Sequence, residues 1–170
     1  MTRLIVIILA VLGTLLIGAC DREGRPIQEF GLDKLSKGIS TEGDVRAVMG
    51  PPDTVRDESD GSRILEYPKG PMGHRTWFFV IGKDGKLADY RQVLTEENFS
   101  DIKPGMSRDA VRRMLGKPRG VSQFKLKNEE VWDWVYLQPD NKSRLFNVHF
   151  DIDSGTVTRT SRSEDPQSPY

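Results

Sequence analysis

The chain has 170 residues, carries 25 Lys and Arg against 25 Asp and Glu, and is 36% apolar. That balance excludes a general nucleic-acid binder, which would show a strong basic excess. The length suits one ordinary domain or two very small ones.

Met1-Thr2-Arg3 places a positive charge ahead of an apolar run from Leu4 to Ile17. A charged start, a short apolar stretch and small residues before a cut site make a secretory signal. The run falls short of the roughly 20 residues a bilayer span needs, so residues 1–19 are read as a signal peptide. Cys20 is the only cysteine and cannot form an internal disulfide. The segment Leu16-Ile17-Gly18-Ala19-Cys20 resembles the lipobox of bacterial lipoproteins. That resemblance implies cleavage before Cys20, diacylglycerol on its thiol and acylation of the new amine. Two or three acyl chains suffice for stable anchoring, at about 0.8 kcal/mol per buried methylene. The implied place is the bacterial envelope, facing the periplasm, with the outer membrane expected. Asp21 resembles the inner-membrane retention signal of enteric lipoproteins and keeps that membrane as the alternative. Residues 20–29 are polar, lack periodicity and read as a tether.

An internal duplication follows. Leu32, Leu35, Gly38, Ile39 and Ser40 match Phe99, Ile102, Gly105, Met106 and Ser107 in order. Val45-Arg46-Ala47-Val48-Met49-Gly50-Pro51-Pro52 then matches Val111-Arg112-Arg113-Met114-Leu115-Gly116-Lys117-Pro118, with one extra residue expected near Gly43. In each copy the first apolar pair sits three apart, as on a short helix face. Gly38 or Gly105 ends that helix, and Ser40 or Thr41, and Ser107, are placed to cap a second one. Val45, Val48, Met49 and Val111, Met114, Leu115 form its apolar stripe, and Gly50 and Gly116 stop it.

Strands are predicted next. Copy one offers Ile64 to Tyr67, Trp77 to Ile81 and Leu87 to Leu94, with an Asp84-Gly85 hairpin turn. Copy two offers Val131 to Tyr136, then Phe146, Val148 and Phe150 alternating with polar residues, then Thr156 to Thr158. The expected fold class is α+β: two tandem repeats, each with two short helices on a roughly three-stranded antiparallel sheet. The expected segments are a first repeat over 30–95, a second over 96–160 and a disordered tail over 161–170.

Asn98 through Ser107, Val111, Leu115-Gly116-Lys117-Pro118 and the strand Trp132-Asp133-Trp134-Val135-Tyr136 resemble the SmpA/OmlA family of BamE-like lipoproteins. The resemblance covers residues 96–160 well and 30–95 more loosely, and the tandem departs from the single copy of that family. It implies helices on an antiparallel sheet, subunits of the β-barrel assembly machine as candidate partners, and a role in outer-membrane protein assembly or envelope integrity. Two such units in tandem also resemble the architecture of the β-lactamase inhibitor protein. That likeness supplies the alternative, an inhibitor or ligand-binding module acting on an envelope hydrolase.

No cofactor is expected beyond covalent lipid on Cys20, and no metal, nucleic-acid or small-molecule site is evident. His74 lies beside a Gly-Pro-rich loop, and His149 alternates with core residues and is expected to face solvent; neither has metal-ligand spacing. Asp151 to Gly155 is a hairpin turn rather than a calcium loop, its glycine standing one place early. No nucleophile elbow, P-loop or dinucleotide fingerprint occurs, so the chain is not expected to be an enzyme; a hydrolase is a third reading. Binding candidates are Arg108, Arg112, Arg113 and Arg119, clustered with Lys103 and Lys117 around one helix with only Asp101 and Asp109 nearby. Such a patch could meet anionic lipid at about 1 kcal/mol per basic residue. Trp132, Trp134 and Tyr136 share a strand face and read as core, whereas Phe124 sits in a polar stretch as an exposed anchor for a partner.

With no second thiol to accept lipid, Cys20→Ala is expected to abolish metabolic labelling by fatty acid and release the protein from the membrane fraction. Normal processing and full membrane retention of that variant would overturn the lipoprotein reading.

Overall fold

The computed structural model describes residues 29–69, 74–138 and 142–166. The signal, Cys20, the predicted tether up to residue 28 and most of the Gly70 to Gly73 and Pro139 to Lys142 turns lie outside the described residues. A 3-10 turn, Glu29–Lys34, leads into α1 (Glu42–Met49) and the strands β1 (Thr54–Asp57), β2 (Arg63–Lys69), β3 (Arg75–Ile81) and β4 (Leu87–Gln92). The second half repeats the plan with α2 (Glu96–Ser100), α3 (Arg108–Leu115), β5 (Gly120–Phe124), β6 (Glu129–Leu137), β7 (Ser143–Asp151) and β8 (Val157–Glu164). Two antiparallel four-stranded sheets result, ordered β1-β2-β3-β4 and β5-β6-β7-β8. The α+β class and the tandem plan are as expected. No described helix is long and apolar enough to cross a membrane.

Three details correct the sequence-based picture. Each sheet has a fourth strand, β1 or β5, which pairs on one side only and so needs little apolar content. The segment expected as a disordered tail from residue 161 is strand β8 as far as Glu164, because β7 supplies a full antiparallel partner: Phe146 pairs with Arg162 and Arg144 with Glu164. The extra residue of copy one is not near Gly43. Gly38 N–H donates to Leu87 O and Gly105 N–H to Val157 O, while Leu87 N–H returns to Ser40 O and Val157 N–H to Met106 O. The loop between those bonds is one residue longer in copy one, where Ile39 stands out into solvent.

Past that loop the helix starts and helix ends of the two copies correspond. Thr41 and Ser107 are the N-caps, accepting from the backbone N–H of Asp44 and Ala110. Thr41 pairs with Lys86 and Ser107 with Thr156 in single bridges. The helices close on Gly50 and Gly116 at nearly the same angles, φ 83° and 80°. Each third strand carries a register shift, at Val80/Ile81 and at His149/Phe150.

Sheet 1 is buried on both faces. On one, Leu65, Tyr67, Phe79, Ile81 and Leu87 pack with Leu35 and with Val45 and Met49 of α1. On the other, Ile64 and Phe78 enter the second core, with Phe99 of α2, Val111 and Leu115 of α3, and Trp134, Tyr136, Phe146, Val148 and Phe150 of sheet 2. Phe99 stacks on Phe146 at 4.1 Å and meets Tyr136 edge-on at 4.9 Å. The helices α2 and α3 therefore belong to a core that takes side chains from both sheets.

Leu115 has no solvent exposure in that shared core. Leu115→Ala is expected to cost about 2–5 kcal/mol. Because the core joins both halves, urea unfolding followed by fluorescence and by circular dichroism should show one coincident transition, shifted to lower urea in the variant.

Candidate functional site

The expected binding arginines lie where the halves meet and along α3. Arg112, one turn before the end of α3, reaches back to β2: its Nη1 donates to Glu66 Oε2 at 2.7 Å. The other oxygen of Glu66 accepts from the backbone N–H of Lys117 at 2.6 Å. The Glu66 carboxylate is 3% exposed. Both its oxygens are thus satisfied by the second half. Gly116 is required beside it, since its φ is positive and a Cβ there would lie 2.7 Å from Glu66 Oε1. Two further pairs bracket this one, Arg113 Nη1 to Glu58 Oε2 at 2.6 Å and Lys117 Nζ to Asp53 Oδ2 at 3.3 Å. Arg56 also donates to Glu58, at 2.5 Å. The Glu58 carboxyl is held below its ordinary range, first by the Arg56 bond, against the opposing effect of burial and with help from Arg113.

Arg108 and Arg119 are equally committed. Arg108 Nε donates to Glu130 at 2.8 Å, and Glu130 also accepts from Gln123 and Trp132. Burial alone would push the Glu130 carboxyl up; the bonds from Gln123, Arg108 and Trp132 outweigh it, and it lies below the usual range. Arg119 bridges Asp165 at 3.2 Å and Asp133 at 3.6 Å. Burial raises the Asp133 carboxyl, with Arg119 opposing and Asp165 assisting. Within the expected basic patch, Arg108, Arg112, Arg113, Lys117 and Arg119 thus each hold a carboxylate, while Lys103 Nζ donates to the Ser100 carbonyl. Apart from Asp109 and Asp133, these carboxylates lie 22 to 64 positions away in the chain, beyond local inspection of the sequence.

Phe124 belongs to a different surface. Strand β5 is hydrogen-bonded to β6 alone, leaving one edge open. On it Val121 is 54% exposed and Phe124 47%, and Leu126 in the following 3-10 turn (Lys125–Lys127) is fully exposed. Lys125 and Lys127 flank Leu126 without a carboxylate partner among the described residues. This tip is held firmly. Asn128 adopts a left-handed conformation, φ 50°, and its side-chain amide donates to Asp151 and Asp153, each at 2.8 Å. Its carbonyl accepts from Ile152 N–H at 3.0 Å. The sequence analysis singled out Phe124 but missed Val121 and Leu126; an isolated leucine between two lysines was the available signal.

His149 points away from the shared core, as its alternation predicts, yet is only 8% exposed, because side chains of β6 and β8 close around it. His74 bonds Ser143 Oγ at 3.1 Å, and burial lowers its ring pKa. Near it a cleft of about 390 Å³ is lined by Gln92, Thr95, Glu96 and Tyr136. Among the described residues no group of three His, Cys, Asp or Glu is placed to hold a metal ion.

Comparison with known proteins places residues 92–160 in a match to the family model for the outer membrane protein assembly factor BamE domain. The expected likeness of the second copy to that family is thus met, over α2 through the first half of β8. No curated protein matches the chain. Three solved structures resemble it at low similarity. A DUF4309 family protein from Bacillus subtilis has 21% identity over 77% of this chain and 82% of its own, at a TM-score of 0.29. A candidate β-lactamase inhibitor protein from Streptococcus mutans has 14% identity over 73% and 82%, at 0.33. An extracellular protein with an SCP domain from Bacillus anthracis has 9% identity over 88% and 50%, at 0.32.

Removing one partner of a buried ion pair strands the other charge, at a cost of about 3–5 kcal/mol. Glu66→Ala is expected to lose that much stability in urea titrations. A double-mutant cycle with Arg112→Ala should be strongly non-additive, since the two substitutions delete one shared interaction.

Proposed function

We propose that the chain is a lipid-anchored envelope protein, facing the periplasm, that supports outer-membrane protein assembly by docking on the assembly machinery. Residues 1–19 would be its signal, Cys20 the lipidated residue and 20–29 the tether. Residues 30–95 and 96–160 would be its two repeats. The outer membrane is the favoured location. The single observation that carries the reading is the BamE-domain match, which falls on the half that also presents the exposed β5 edge. The docking surface in this reading is that edge with the 3-10 tip, where Val121, Phe124 and Leu126 offer apolar anchors of the kind that dominate interfaces. An open strand edge also offers unpaired backbone groups to an incoming strand. The paired arginines of the seam serve cohesion of the two halves in this reading.

The full-length protein, cross-linked in membranes and recovered by a C-terminal tag, is expected to bring down subunits of the β-barrel assembly machine. Leu126→Asp combined with Val121→Asp should reduce that recovery at least tenfold while leaving the unfolding midpoint nearly unchanged, because both side chains are exposed. Recovery of no assembly subunit by the wild type, or undiminished recovery by the variant, would overturn the function or the surface respectively.

A further inference from the structure

The outer face of sheet 2 carries an ordered row of hydrogen bonds that neither the fold nor the proposed function uses. His149 on β7 stands between Glu129 on β6 and Ser161 on β8. Its Nδ1 lies 2.8 Å from Glu129 Oε1, and its Nε2 lies 2.8 Å from Ser161 Oγ. A carboxylate only accepts, so Nδ1 carries a proton; in the neutral ring Nε2 is then free to accept from the serine hydroxyl. Arg159 Nη2 holds the same Glu129 oxygen at 2.9 Å. Burial would push the Glu129 carboxyl up, but His149 and Arg159 hold it below the usual range. The amide Nδ2 of Asn147 lies 3.4 Å from Ser161 Oγ and 3.1 Å from Ser163 Oγ. Ser161 remains partly open to solvent while the histidine beneath it is nearly covered.

The tandem plan sharpens the point. Asp53 N–H donates to Glu66 O, and Arg119 N–H to Asp133 O, which sets Glu66 and Asp133 in register. Their cross-strand partners, Phe78 and Asn147, then correspond, and the matching register shifts set Val80 beside His149. A face that only had to be soluble would be served by any polar residues here. The row instead places a carboxylate, an imidazole and a hydroxyl in the order that activates a nucleophile.

We propose that Ser161, His149 and Glu129 form a nucleophilic site for acyl esters on the open face of sheet 2. Ser161 Oγ adds to the ester carbonyl carbon and its proton passes to His149 Nε2. The Asn147 amide donates to the oxyanion. The carbon–oxygen bond to the alcohol breaks, and the departing oxygen takes the proton from Nε2, leaving Ser161 acylated. Water repeats the sequence and releases the acid. Glu129 is a positioning residue that fixes the ring and its tautomer. This activity corresponds to the hydrolase kept as a third reading of the sequence and is independent of docking at β5.

The test treats the full-length protein in detergent with a fluorophosphonate probe. Ser161 Oγ would bond phosphorus, fluoride would leave and the hydroxyl proton would pass to His149. The expected result is one label, located at Ser161 by peptide mass spectrometry. It should be lost in Ser161→Ala, formed about a hundredfold more slowly in His149→Gln, and unchanged in Ser100→Ala, for general-base help is typically worth about 10²–10⁴. Glu129→Gln should slow labelling, whereas Glu129→Asp should restore part of it. Circular dichroism melts identify any variant that fails to fold, and p-nitrophenyl acetate turnover by the wild type provides a second reading free of substitutions. Folded wild type that labels no faster than Ser161→Ala, or a label on another residue, would overturn the proposal and leave the row as a cross-strand clasp.

Discussion

One buried carboxylate governs how the two halves sit together. Glu66 projects from the centre of sheet 1 toward the second half and is almost wholly removed from water. An ionised carboxylate in that position is tolerable only if its oxygens are bonded, and both bonds come from the end of α3: the Arg112 guanidinium and the Lys117 amide. Their directions fix the place of the helix terminus, and Gly116 gives the close approach. The apolar side chains of Ile64, Phe78, Val111 and Leu115 supply the bulk of the cohesion. They are non-directional, and the carboxylate selects one arrangement among those they would accept.

The same local plan thus has two different outcomes. Arg46 and Gly50 occupy in α1 the places that Arg112 and Gly116 occupy in α3. Arg46 folds back on Glu42 of its own helix, and a Cβ at Gly50 would meet nothing. The difference comes from what each helix packs against. Residues of α3 share a core with both sheets, whereas those of α1 join sheet 1 alone.

What the sequence disclosed, and what it withheld, follows from the range of each interaction. Caps and stripes are local, so Thr41, Ser107, Val45, Met49, Val111 and Leu115 were legible from spacing alone, and so was the duplication. Strand β1 has one strongly apolar residue, Val55, in four, and β5 has Val121 and Phe124 in five. Edge strands owe their existence to a neighbour and leave little hydrophobic periodicity to detect. The partners of the arginine cluster were not legible because charge is counted along the chain but paired across space: Glu66 lies 46 positions before Arg112 and Glu58 lies 55 before Arg113. The Glu129, His149 and Ser161 row was hidden for the same reason, spanning three strands that only the sheet brings together.

The contrast between Phe78 and Val80 and their counterparts Asn147 and His149 has a consequence for what each sheet can stack against. In a stacked array each unit must leave one sticky surface for the next, and the final unit must not. Sheet 1 ends in an apolar surface that accepts a successor; sheet 2 ends in amide, imidazole and hydroxyl groups already bonded to one another. Anything laid on that face of sheet 2 would first have to displace those bonds, whereas the corresponding face of sheet 1 packs directly against the second half. The same position in the pleat thus serves cohesion in one sheet and solvation in the other.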